Sequence, residues 1–130
     1  MKKVLCLVLA MLMLLSAVAA FAEEVVYPAP KVKTDGKLQV GFLVQNLESE
    51  YNRRCHQAIQ VEAAHRGWDL TSCVVNSNEE RVSALNTLIN KEVDAIIISN
   101  MDMPAMASYI GQARQNGIGV YNCDTEVVPG

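Results

Sequence analysis

Four short apolar runs, each separated from the next by a segment of helical periodicity, constrain this chain more than any other feature of its sequence. The clearest run is Val93 to Ser99, where Ala95-Ile96-Ile97-Ile98 shows no polar alternation and so requires cover on both faces. Leu38 to Val44 has the same texture, and Trp68 to Val75 and Ile118 to Cys123 complete the set. Between the first two runs, Tyr51 to Arg66 puts Tyr51, Cys55, Ala58, Ile59, Glu62 and Ala63 at helical spacing, with Ser49 as cap and Gly67 as the left-handed stop. The next helix carries a stripe of Val82, Leu85, Leu88 and Ile89 behind the capping oxygens of Asn76-Ser77-Asn78. In the third, Asp102 serves as cap, Pro104 suits the first turn, Ala107, Ile110 and Ala113 face inward, and Gly117 ends the helix. A β-α-β-α-β-α-β order calls for right-handed crossovers, and hence for an α/β fold: a Rossmann-like or flavodoxin-like parallel sheet with helices on both faces.

The segment before this pattern divides in two. Residues 1–22 contain only Lys2, Lys3 and Ser16 outside the hydrophobic set, and end in Ala20-Phe21-Ala22 before Glu23-Glu24. A basic start, an apolar stretch shorter than the roughly 20 residues of a membrane span and a small-x-small end read as a secretory signal peptide. Cleavage after Ala22 removes two of the 11 basic residues and none of the 14 acidic ones, leaving an acidic product that is exported to the periplasm and not inserted in the membrane. Cys6 precedes the apolar run, so it is not placed to become a lipidated first residue. Residues 23–37 hold Pro28, Pro30 and a Thr34-Asp35-Gly36 turn signal without periodicity, and read as a flexible leader to the domain of residues 38–130.

Composition excludes some functions. With 51% hydrophobic residues and a net charge of -3, the chain is neither disordered nor a basic nucleic-acid binder. Beyond the signal segment it has Cys55, Cys73 and Cys123, an odd number without metal-type spacing. Each lies in an apolar stretch, which suits buried small hydrophobes; one disulfide plus a free thiol is the other reading. His56 and His65 are nine apart on one helix and share no face as a metal pair would. Residues 45–51 lack the glycines of a phosphate cradle, and no Gly-x-Ser-x-Gly elbow occurs. No catalytic residue, metal site or cofactor is expected.

In open α/β sheets ligands bind beyond the carboxyl ends of the strands, where strand order reverses. The residues there are Gln45, Asn46 and the loop to Tyr51 after the first strand, Ser99, Asn100 and Asp102 after the third, and Asp124 with Thr125 after the fourth. Carboxylates accept hydrogen bonds and amides both donate and accept, so this rim suits a polyhydroxylated ligand, a carbohydrate or polyol, on whose apolar face Tyr51 can stack. Competing structural roles stand beside these. Asp102 and Ser49 are natural helix caps, Asn100 can satisfy loop backbone, and Tyr51 can pack in the core. Asp124 is the residue with the fewest structural reasons to exist.

Several motifs taken together resemble the amino-terminal lobe of type I periplasmic sugar-binding proteins, the ribose and galactose binders of bacterial uptake systems. They are Val40-Gly41-Phe42, Ala63 to Leu70 in the style of E-A-x-x-x-G-Y-x-L, Asn76 to Glu80, Asp94 to Ile98, and Ala113 to Asp124. The resemblance implies that Asp124 accepts hydrogen bonds from sugar hydroxyls. It also implies that Ser99, with Asn100 adjacent, takes the place of the polar residue ending strand three. The family's N-P-F-F loop reads Ser49-Glu50-Tyr51-Asn52 here, which keeps one aromatic, and Thr125 stands where ribose binders carry arginine. These departures point away from ribose. The implied role is the substrate-binding component of an ABC-type sugar uptake system that delivers a monosaccharide or polyol to a membrane permease. A periplasmic sensory protein presenting a sugar or autoinducer to a chemoreceptor or histidine kinase is the alternative. Members of the family carry a second lobe, so the resemblance covers a partial, truncated lobe.

Overall fold

The computed structural model describes residues 26–31, 36–99 and 104–123. In chain order the elements are β1 (Gln39–Gln45), α1 (Glu50–Arg66), β2 (Asp69–Val75), α2 (Asn78–Asn90), β3 (Ala95–Ser99), a 3-10 turn (Pro104–Met106), α3 (Ala107–Gln115) and β4 (Gly119–Cys123). The four strands form one parallel sheet in the order β2-β1-β3-β4. The expected alternation and the α/β class are thus both present.

Crossover handedness explains which helix covers which face. The chain steps outward from β1 to β2, back across β1 to β3, and on in that direction to β4. Right-handed connections then put α1 on one face and α2 and α3 together on the other. Against α2 and α3 lie Leu43 of β1, Val75 of β2, Ile96 and Ile98 of β3, with Leu85, Leu88, Ile89, Met106 and Ala113 closing the core. Gly41 sits within this layer because Leu88 takes the space of its side chain: a Cβ there would lie 2.5 Å from a Leu88 methyl carbon. On the opposite face Phe42 stacks on His56 of α1 at 6.3 Å between ring centroids, and the His56 Nε2 lies 2.9 Å from the Ser72 hydroxyl.

Local chemistry sets the element ends. The Ser49 hydroxyl accepts from the Asn52 amide at 3.1 Å to cap α1, and Gly67, at φ 70°, ends it. For α2 the cap is Ser77, which accepts from the Glu80 amide, while the Glu80 carboxylate reaches back to the Asn76 amide at 2.7 Å. Gly117, at φ 79°, stops the third helix as the sequence suggests.

Two expectations are corrected. The inward stripe of α1 is rotated: Asn52 is 2% exposed, whereas Tyr51 is 46% exposed and Ala58 is on the outside. The cause is that the first turn buries the residue whose side chain can reach the carbonyls of the preceding loop. In the third helix Ala107 is exposed and Met106 takes the inward place, because a 3-10 turn at residues 104–106 delays the α-helical start. Met106 occupies the cap position with no side-chain bond; Asp102, the expected cap, lies outside the described residues.

At the amino-terminal edge Asp94, 3% exposed, ties three strands. Its Oδ2 accepts from the Gln39 amide at 2.7 Å, its own amide donates to the Gln39 carbonyl, and its carbonyl accepts from Gly119. Part of the expected leader lies alongside: Lys31 donates to the Gly117 carbonyl at 2.7 Å, and the Arg114 guanidinium sits 4.0 Å over the Tyr27 ring.

Because α1 covers only β1 and β2, the same face over β3 and β4 is open. Ile97 and Tyr121, the latter 56% exposed, border an apolar hollow with Pro30, Leu38 and Trp68. Among the described residues β4 pairs with β3 alone. An apolar edge strand is a template for another chain, so the protein is expected to self-associate, and Tyr121→Lys to reduce it. Sedimentation of the unaltered chain as a clean monomer would contradict this.

Candidate functional site

Strand order reverses between β1 and β3, so the crevice at their carboxyl ends is where this topology admits a ligand. Register brings the strand tips level: Val44 pairs with Ser99, Ser99 with Cys123, and Gln45 with Val75. Gln45 and Ser99 are therefore placed at neighbouring tips, and the loop carrying Asn46 and Tyr51 leaves from the first of them. Asn100, Asp102, Asp124 and Thr125 lie outside the described residues. Cys123, one residue before Asp124, is at the tip of β4.

The individual groups offer different chemistry. Ser99 is wholly buried, and its hydroxyl has no hydrogen-bond partner among the described residues. A hydroxyl can both donate and accept, and a buried one normally finds a partner. Tyr51 presents about half of its surface to solvent from the first turn of α1. Asn46 is more committed: its Oδ1 accepts from the Glu48 amide at 3.1 Å, its carbonyl accepts from Asn52 Nδ2 at 2.8 Å, and its amide donates to Val75 at 3.1 Å. What it can offer outward is the Nδ2 donor.

Sequence reasoning missed three polar residues at this edge. Asn52 and Arg53 hold the loop from behind, with Arg53 Nη1 donating to the Leu47 and Glu48 carbonyls at 2.9 and 2.7 Å. Arg81, buried in the first turn of α2, donates through Nη1 to Asn78 Oδ1 at 2.9 Å, and its Nε has no partner among the described residues. The available signal was a polar pair just inside a capped helix, beside a loop whose carbonyls need donors.

Electrostatics add little reactive character. The hydrogen bond to its own amide, and then that to Ser77, hold the Glu79 carboxyl below the ordinary range at the start of α2. Burial pushes the Cys73 thiol up, against a weaker pull from Lys91, so Cys73 is a neutral thiol at pH 7. Cys55, Cys73 and Cys123 are all free. Cys123 corrects the expectation of a buried small hydrophobe: as the tip of an edge strand it is exposed, its thiol donating to the Ile98 carbonyl at 3.4 Å. No group of three metal-ligating side chains occurs among the described residues, and no helix among them is long and apolar enough to cross a membrane. Two larger hollows lie elsewhere, one at the opposite end of the sheet beside Asp94 and Gly117, one along the outer side of α2. Neither includes any of the expected site residues.

Comparison with known proteins agrees with this geometry. The periplasmic binding protein domain family matches residues 40–129. A fructose import binding protein, FruE, of Bifidobacterium longum is 30% identical over 94 residues, which cover 71% of this chain and 29% of that protein. The crystal structure of an ABC transporter periplasmic solute-binding protein from Actinobacillus succinogenes with bound D-allose superposes with a TM-score of 0.65 at 28% identity, covering 71% of this chain and 32% of that one. A solute-binding protein of Agrobacterium vitis with bound allitol, 20% identical, shares the fold with a TM-score of 0.57, covering 66% of this chain and 30% of that one. The chain thus spans about a third of the length of the proteins it matches. Parallel sheet, strand order and family match together assign it: the chain belongs to the periplasmic binding protein domain family of type I.

Proposed function

We propose that this chain forms part of the sugar-binding component of a bacterial ABC-type uptake system, taking a monosaccharide or polyol at the carboxyl edge of its sheet. The observation that carries the reading is the switch point between β1 and β3, with Gln45, Asn46 and the buried Ser99 hydroxyl at its rim. The relatives support the ligand class, since their names and structures involve fructose, D-allose and allitol. In this reading Ser99 and Asn46 hydrogen-bond hydroxyls, with Gln45 and Asn100 beside them. Tyr51 stacks on an apolar sugar face, and Asp124 accepts from hydroxyls as the strongest anchor. The signal segment directs export to the periplasm, where the loaded protein meets a membrane permease. Binding involves no covalent step.

The described residues form one wall of a cleft, and enclosure from both sides supplies most of a small ligand's affinity. Titration with D-allose, D-fructose and allitol is therefore expected to show millimolar or weaker saturation, with NMR shifts at Gln45, Tyr51 and Ser99. Tyr51→Ala should weaken binding several-fold. Micromolar affinity by calorimetry would overturn the one-wall description, and unmoved edge signals with all three ligands would overturn the sugar reading.

A further inference from the structure

The loop between β1 and α1 is fastened at every residue. Asn46 receives Asn52 Nδ2 at its carbonyl, Leu47 and Glu48 both receive Arg53 Nη1, and the Ser49 carbonyl receives the Arg53 amide at 3.2 Å. Four consecutive carbonyls are thus taken by two adjacent residues of the first helical turn. The donors differ in character. Asn52 is almost wholly buried, so its amide is fixed by packing as well as by bonding. Arg53 works at the surface, where one guanidinium nitrogen bridges two successive carbonyls in a way a single hydroxyl or thioether cannot.

We propose that Asn52 and Arg53 are positioning residues that lock residues 46–49 in the shape presenting Asn46 and Tyr51 to the ligand; this rests on the sugar-binding reading above. Neither residue needs to touch the ligand. Asn52 spends its Nδ2 on the Asn46 carbonyl, Asn46 Oδ1 takes the Glu48 amide, and Tyr51, one residue before Asn52, stays exposed. A loop already fastened loses less freedom when ligand arrives, so affinity gains without any new contact. Burial of Asn52 also accounts for the rotated stripe of α1: the inward place is given to the group that serves the loop.

The test uses the complete chain and three variants, Asn52→Leu, Arg53→Met and Arg53→Lys, with D-allose as probe. Amide hydrogen exchange at Glu48, whose N–H is bonded within the loop, is expected to quicken about tenfold or more in Asn52→Leu and Arg53→Met, while β3 amides keep their protection. D-allose binding followed by NMR should weaken about tenfold in the same variants. Arg53→Lys, which keeps a cation and several donors, should recover part of both. Quickened exchange with unchanged D-allose affinity overturns the positioning role, as does unchanged exchange at Glu48. Should Asn52→Leu unfold, Arg53→Met and Arg53→Lys, altered at an exposed residue, decide the matter. If the unaltered chain leaves D-allose, D-fructose and allitol unbound, the sugar reading fails first and the role of the pair falls with it.

Discussion

Gly41→Ala is expected to destabilise the domain by about 1–3 kcal/mol, and Gly41→Val by more, because either forces extra carbon into a filled layer. The new Cβ would lie 2.5 and 2.8 Å from the two Leu88 methyl carbons and 3.1 Å from Leu88 Cγ. Leu88 is itself wholly buried among Leu85, Ile89 and Ile96, so its side chain cannot swing away without displacing others. Leu88→Ala alone should cost about 2–5 kcal/mol through the cavity it leaves. The double variant is the sharper measurement: the alanine methyl at 41 enters space vacated at 88, so the two costs should fall short of their sum by about 0.5–3 kcal/mol in urea denaturation. Strict additivity would mean that Gly41 and Leu88 do not compete for the same volume.

Asp94→Ala carries the second large effect, an expected loss of about 1–3 kcal/mol. Removing the carboxylate leaves the Gln39 amide without its acceptor at the start of the innermost strand, and the backbone of Asp94 that pairs with Gln39 and Gly119 loses its anchor. Asp94→Asn keeps an acceptor oxygen at the same reach and should retain most of the stability. Equilibrium unfolding of the pair checks this. Equal losses in both variants would mean that charge, and not the hydrogen bond to Gln39, is what matters there.

Legibility in the sequence followed the kind of interaction involved. The continuous apolar run of β1 announces double burial, and Gly67 and Gly117 announce left-handed stops, because each depends on the residue's own shape. The same texture in β3 overstated its cover: Ala95 and Ile97 are only half-buried, because α1 does not reach over that strand. Ser49 and Ser77 were equally readable, as caps act over three residues. Asn52 was not. Its partners are backbone carbonyls, which every residue possesses, so nothing in the residue pattern singles out the loop it serves, and the aromatic Tyr51 was the natural choice for the inward place. The exposure of Cys123 was hidden for another reason: burial of an edge strand depends on what lies beside it, and Gly119 to Cys123 look the same with a neighbour or without. At the candidate site, register sets Gln45 and Ser99 at adjoining strand tips without testing their role, while Asp124 and Asn100 fall outside the described residues.

The strand order has a consequence for synthesis. β1 is made first, yet one of its two hydrogen-bonded neighbours is β3, and the Gln39 amide waits for a carboxylate 55 residues downstream. Translation delivers β2 early and leaves the other side of β1 bare until Ala95 to Ser99 has cleared the ribosome exit. During that interval the nascent chain shows an unzipped, highly apolar ribbon, which is the species a holding chaperone would recognise and a slow codon before residue 95 would prolong.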